Sequence, residues 1–136
     1  MILDSSALVA LLLDEPSAPA LLDALDGAEH VGVSAATLVE AGIVLEARLG
    51  ALGGDRLRRL LELLQAEILP FEEGQWGFAV DGWRKFGKGN HPARLNFGDC
   101  ISYGAARYYD QPLLCVGDDF PQTDLELVAL GDPVSR

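Results

Sequence analysis

Short apolar runs alternate with helix-period segments along this chain, and that alternation most limits what it can fold into. Runs of strand length fall at residues 1–3, 31–33, 67–71, 112–116 and 125–130. Between them the pattern predicts helices over 5–13, 16–26, 35–49, 56–65, 72–86 and 97–109. This is the signature of βαβ units and a parallel sheet. Local chemistry sets the expected ends. Pro16 suits a first helical turn, Ser34 is a good N-cap for 35–49, and Gly50 closes that helix. Gly53-Gly54-Asp55 is expected to break the chain and cap the helix over 56–65. Gly74, Gly77 and Gly82 weaken the helix over 72–86. Residues 87–94 (GKGNHPAR) read as a loop, Asn96 as the cap of 97–109, and 117–119 as a turn. The predicted class is α/β. In open parallel sheets of this kind, ligands bind beyond the carboxyl ends of the strands.

The length of 136 residues fits one domain over 1–136. Lys and Arg total 10 against 21 Asp and Glu, a net charge of −11. That balance weighs against a protein that grips nucleic acid by bulk charge, though not against a local basic stripe. A hydrophobic fraction of 49% excludes disorder. The longest apolar run, residues 7–13, is far short of the ~18 residues of a spanning helix. Asp4 and Asp14 flank it with no basic segment before it, so it is a poor signal peptide. A soluble, cytoplasmic protein without membrane contact is expected. Cys100 and Cys115 are neither a CxxC pair nor a framework, and read as buried thiols in a reducing compartment. His30 and His91 are isolated and read as surface residues.

The chemistry lies in the acids. Asp4 closes the first strand and, taken alone, reads as an N-cap. Asp99 sits three residues after Asn96, where a capping box and the helix dipole favour an acid. Asp118 and Asp119 follow a strand in ordinary turn chemistry. Glu40 is harder to explain structurally. Its helical neighbours Ala36, Thr37, Ile43 and Val44 offer no cation, and an unpaired carboxylate on an apolar face is costly. Taken together, Asp4, Asp99 and the 118–119 pair converge on one edge of a parallel sheet, with Glu40 in reach from a facing helix. Several carboxylates at such range need compensation. All-oxygen ligation selects Mg²⁺ or Mn²⁺, and the lack of a His/Cys cluster weighs against Zn²⁺. Carboxylate-held Mg²⁺ activates water and stabilises charge in phosphodiester hydrolysis. No side-chain nucleophile motif or phosphate loop is present. Arg84, Lys85, Lys88 and Arg94 place four of the ten basic residues within eleven positions. With Trp83, Phe86 and His91 interleaved, this stretch reads either as a solvated loop or as a surface for single-stranded RNA. Arg56, Arg58 and Arg59 read as an exposed helix face.

Five segments, in order and spanning nearly the whole chain, resemble the PIN-domain ribonucleases, and within them the VapC toxins. They are residues 1–8 (MILDSSAL), 34–41 (SAATLVEA), 87–93 (GKGNHPA), 95–100 (LNFGDC) and 117–120 (GDDF), with Thr123-Asp124 following. The resemblance implies a PIN fold, a central parallel sheet of four or five strands with helices on both faces. It also implies an Mg²⁺-dependent endoribonuclease, with Mn²⁺ as a substitute. The family's metal-binding acids carry over to Asp4, Glu40 and Asp99. The fourth falls on Asp118 or Asp119, with Asp119, beside Phe120, slightly preferred. Ser6 matches the hydroxyl that supports the first acid, and Asn96 a polar residue near the site. A homodimer and inhibition by a VapB antitoxin are implied as well. Operator DNA is then contacted only through the antitoxin.

Two other classes compete. An aspartate-nucleophile phosphatase or phospho-receiver also places Asp at a strand end. The former usually has a second Asp two residues on, where this chain has Ser6, and the latter a late Lys, whereas none follows Lys88. A PIN scaffold that only binds partners would have lost a metal acid, and here the set is intact. A cation among the acids also reverses the local sign of the charge where phosphate must bind. RNA recognition is therefore expected to be local, metal-assisted and selective.

Overall fold

In the computed structural model, which describes residues 1–131, four strands form one parallel sheet. β1 (Ile2–Leu3) lies between β2 (Gly32–Ser34) and β4 (Leu113–Leu114), and β3 (Glu67–Leu69) is the edge beyond β2. The helices are α1 (Ser5–Leu12), α2 (Ala18–Asp26), α3 (Ala35–Leu49), α4 (Ala51–Leu64), α5 (Glu73–Phe86) and α6 (Phe97–Tyr109). Side chains of a strand alternate between faces, so each short strand feeds two cores. Leu3, Val33 and Leu114 pack with α1, α2, α3 and α4. Ile2, Leu69 and Leu113 pack on the other side with α5, α6 and Phe120. Helices therefore cover both faces, as a fully buried parallel sheet requires.

The strand order β3-β2-β1-β4 fixes where a ligand crevice lies. The chain moves outward from β1 to β3, then returns to the other side of β1. The reversal falls between β1 and β4, and a crevice opens past their carboxyl ends. Asp4 directly follows β1, and the 116–119 segment follows β4. The crevice is stitched at its floor, where Asp4 N–H donates to the Leu114 carbonyl at 3.0 Å.

Four expectations from the sequence do not hold. Gly53-Gly54 does not interrupt the chain; α4 starts at Ala51, directly after Gly50 at φ 67°. A Cβ on Gly53 would collide with the backbone of Leu45, so this glycine permits close approach of α3 and α4. Pro16 does not open the second helix. It lies in a turn, and Pro19 occupies the first turn of α2. No strand forms over 125–130. Leu127 makes a single parallel bridge to Leu113, and the sheet has four strands among the described residues. The strand expected over 67–71 ends at Leu69, because Pro70 has no N–H for the ladder. Of the expected single domain over 1–136, residues 132–136 lie outside the described part.

Candidate active site

Each acid is placed by local helix chemistry. Asp4 is the N-cap of α1, and its Oδ2 accepts from Ser6 N–H at 3.0 Å. Asn96 and Asp99 form a full capping box on α6. Asp99 N–H donates to Asn96 Oδ1 at 2.9 Å, and Asn96 N–H donates to Asp99 Oδ2 at 3.0 Å. The capping and functional readings of these acids therefore fall on the same residues. A cap fixes the carboxyl at the end of a helix, where the dipole also favours its charge.

Asp4 is buried, with 2% of its surface exposed, and both of its oxygens are engaged. Ser6 Oγ donates to Oδ2 at 2.5 Å and itself accepts from Val116 N–H at 3.0 Å. Ser6 thereby ties the first acid to the end of β4. Ser102 Oγ donates to Asp4 Oδ1 at 2.6 Å, and Thr37 Oγ1 lies 3.5 Å from Ser102 Oγ. The sequence singled out Ser6 but not Ser102 or Thr37. A serine on a helix carries little signal by itself. The available clue was spacing, since Ser102 follows Asp99, and Glu40 follows Thr37, by three residues on one helix face.

Glu40 is half-buried on α3 and reaches α6 at Gly98. A Cβ on Gly98 would collide with the Glu40 carboxylate, so the missing side chain leaves the room that the carboxylate fills. Asp99 responds electrostatically to the whole group. Burial pushes its carboxyl up to about 6, the Asn96 N–H pulls the other way, and the charges of Asp4, Asp119 and Glu40 push it further up. Asp119, not Asp118, belongs to the group acting on Asp99. Asp118 and Asp119 are both exposed, and the Asp118 carbonyl accepts from the Gln122 side chain. Gly117 at φ 108° makes the turn, and buried Phe120 anchors the far side.

No three His, Cys, Asp or Glu side chains converge as a ready-made ligand group among the described residues. The donor set nevertheless fits a hard divalent cation. The charges of Asp4, Asp119 and Glu40 all act on Asp99, with no cation among the groups acting on it, and the missing side chain of Gly98 lets the Glu40 carboxylate reach α6. Oxygen-only donors suit Mg²⁺ or Mn²⁺.

The basic stretch separates into two parts. Lys88, Arg94, Asn96 and Asp119 line one polar cavity of about 340 Å³. The loop carrying Lys88 and Arg94 is closed at its base, where Lys88 N–H donates to the Leu95 carbonyl and Leu95 N–H to the Phe86 carbonyl. Arg94 holds φ 56°, an uncommon value for a residue with a Cβ. Lys85 instead pairs with Asp81 at 3.1 Å along α5, and Arg84 is exposed on the same helix. An apolar groove of about 820 Å³ adjoins the polar cavity, with Lys88 and Asn96 in both walls. Trp76, Trp83 and Phe97 stand in it at 61%, 51% and 83% exposure.

The isolated residues are plainly placed. His30 is exposed and meets Glu67 at 2.8 Å. His91 is only half-buried rather than fully at the surface, with its ring edge-on to Phe86. Cys100 is buried and Cys115 partly so, both as free thiols. Burial is the main cause pushing them up to about 11 and about 12.

The family model for the PIN domain matches residues 1–126. Ribonuclease VapC30 of Mycobacterium tuberculosis is 43% identical over 131 residues, covering 96% of this chain and 99% of that protein. Two solved structures share the fold. One is M. tuberculosis VapC20, described as a toxin that cleaves the sarcin–ricin loop. It matches at TM-score 0.77 and 15% identity, over 96% of this chain and 98% of that one. The other is a toxin–antitoxin complex from Klebsiella pneumoniae, at TM-score 0.68 and 16% identity over 90% and 92% of the two chains.

Proposed function

This chain belongs to the PIN-domain family, among the VapC ribonucleases, and from that membership we propose that it is an endoribonuclease toxin of a VapBC pair that hydrolyses RNA with a divalent cation. The observation that carries the reading is the gathering of Asp4, Glu40 and Asp119 around Asp99 at the switch point of the sheet. These four acids are the proposed ligands. Mg²⁺ is the proposed ion, with Mn²⁺ as a substitute. When bound, such an ion supplies an activated water and offsets charge on the scissile phosphate.

The chain's own residues prepare that chemistry. Ser6 orients Asp4 through its hydroxyl and ties it to Val116. The capping box holds Asp99 at the start of α6. Lys88 and Arg94 flank Asp119 in the polar cavity, which supports them as phosphate-binding residues, with Asn96 as a neutral donor beside them. Lys85 and Arg84 carry less of that role. The net charge of −11 leaves little bulk attraction for RNA, so affinity rests on these local contacts.

The proposed partners follow from the same membership. A VapB antitoxin is the inhibitor, in keeping with the toxin–antitoxin complex of the same fold. Operator DNA is reached only through that antitoxin. A second copy of this chain is the proposed cover for the exposed apolar residues of α3, α5 and α6, Val39, Trp76, Trp83 and Phe97 among them. Among the described residues no helix is long and apolar enough to cross a membrane. The cytoplasm is the proposed location. The test is to express the wild type and Asp99→Asn and map RNA ends in each. New internal ends confined to the wild type are expected. The same ends from the variant would contradict the proposal.

A further inference from the structure

Ser102 is fully buried on α6 and makes a contact that ordinary helix chemistry does not require. Its hydroxyl reaches across 98 residues of sequence to Asp4 Oδ1 at 2.6 Å. That length is typical of a hydroxyl donating to a carboxylate. A helical serine would ordinarily turn outward or bond back to the preceding turn. The second buried hydroxyl, Thr37 Oγ1, stands 3.5 Å behind it on α3. A carboxylate oxygen only accepts, so the single Ser102 proton goes to Asp4, and Thr37 is the donor toward Ser102. The direction is therefore Thr37 to Ser102 to Asp4.

Position gives this chain of hydroxyls its purpose. Ser102 lies one helical turn beyond Asp99, and Thr37 one turn before Glu40. Each hydroxyl sits on the same helix face as an acid of the site. The two meet beneath Asp4, so the strand end, α3 and α6 are joined below the carboxylates. With Ser6 on Oδ2 and Ser102 on Oδ1, donors hold both ends of the Asp4 carboxyl and fix its rotation. Without Ser102 only Oδ2 is held, by the Ser6 N–H and hydroxyl, and the carboxyl gains freedom to swing Oδ1 about χ2.

We propose that Ser102, backed by Thr37, is a positioning residue that fixes the Asp4 carboxylate in the orientation needed to hold a divalent cation. This rests on the cation reading given above. Groups that orient a ligand in this way set metal affinity by about 10–100-fold.

The test is binding of Mn²⁺ alone to the purified full chain, followed by electron paramagnetic resonance of the free ion, with thermal unfolding recorded in parallel. Ser102→Ala is expected to weaken Mn²⁺ binding by about 10–100-fold, while Ser102→Thr, which keeps the hydroxyl, stays within a few-fold of wild type. Thr37→Val is expected to cause a smaller loss. Wild-type Mn²⁺ affinity in Ser102→Ala would overturn the proposal, as would equal losses in the Ala and Thr variants. Should Ser102→Ala fail to fold, Ser102→Cys carries the test, with its weak S–H donor and the same predicted loss. Asp99→Asn separates the two levels. If it binds Mn²⁺ as the wild type does, the cation reading itself fails; if it does not and Ser102→Ala does, only the role of Ser102 fails.

Discussion

Gly98→Ala separates the arrangement of the site from the stability of the fold. A Cβ there would stand 2.5 Å from Glu40 Cδ and 2.6 Å from its Oε1, with Oε2 closer still. Carbon contacts of that kind settle near 3.5 Å, so the carboxyl must retreat by about 1 Å. The obstacle is the far end of a flexible side chain, not backbone. Rotating Glu40 costs about 1 kcal/mol, and replacing a helical glycine by alanine returns up to about 1 kcal/mol. Stability should therefore stay within about 1 kcal/mol of wild type, or about 4 °C in Tm for a chain of this size. Function should not be spared. Misplacement by about 1 Å of a group that holds the reacting atoms costs on the order of 100-fold in rate. Single-turnover RNA cleavage and thermal unfolding of the same preparation supply both readouts. A variant that cleaves within two-fold of wild type would refute the claim that Glu40 works from that cradle.

Further outcomes follow from the same geometry. The Asp99 carboxyl is raised to about 6 in the fold from an ordinary 3.8, so the folded state holds its proton more tightly. Its penalty on stability is absent below about 3.8, grows as pH rises toward about 6, and is full above that. Without added cation, Asp99→Asn should therefore raise stability at pH 7 by about 1 kcal/mol after allowance for solvent screening, with the gain fading toward pH 4 in melts across that range. Lys88→Ala should raise KM for RNA several-fold and lower the salt slope by about one unit, whereas Lys85→Ala, whose partner is Asp81, should do neither in a salt titration of binding. Tyr103 is buried, donates to Asp124 at 2.9 Å and accepts from Arg107 at 3.2 Å. Tyr103→Phe should cost about 1 kcal/mol in denaturant unfolding and leave cleavage unchanged.

Much of this was legible in the chain because its signals are local. Ser34, Asn96 and the apolar periodicity set α3 and α6 where the sequence placed them. Asp4 and Asp99 stood out for the same reason, since strand ends and first turns are visible in sequence, whereas Glu40 stood out mid-helix because its helical neighbours offer no cation. What escaped depends on tertiary approach. Gly53 looks like a breaker until α3 packs against it. Residues 125–130 have the composition of a strand, yet they make a single bridge to β4, where Leu113 bonds with the Glu126 carbonyl and the Val128 N–H. The choice between Asp118 and Asp119 depends on how Gly117 turns the chain and how Phe120 buries itself, which Gly-Asp-Asp does not encode locally. Ser102 draws its meaning from a residue 98 positions away. In the basic stretch, the i,i+4 spacing of Asp81 and Lys85 was an available signal that one cation is partnered along its helix, and the sequence reading did not use it.

The most direct test is the dependence of RNA cleavage on divalent cation in wild type and Asp99→Asn. Wild-type cleavage is expected to stop in excess EDTA, to return on adding Mg²⁺ or Mn²⁺, and to be missing from Asp99→Asn at every Mg²⁺ concentration. Cleavage by the wild type in excess EDTA, or full cleavage by Asp99→Asn, would contradict the proposed cation-dependent hydrolysis.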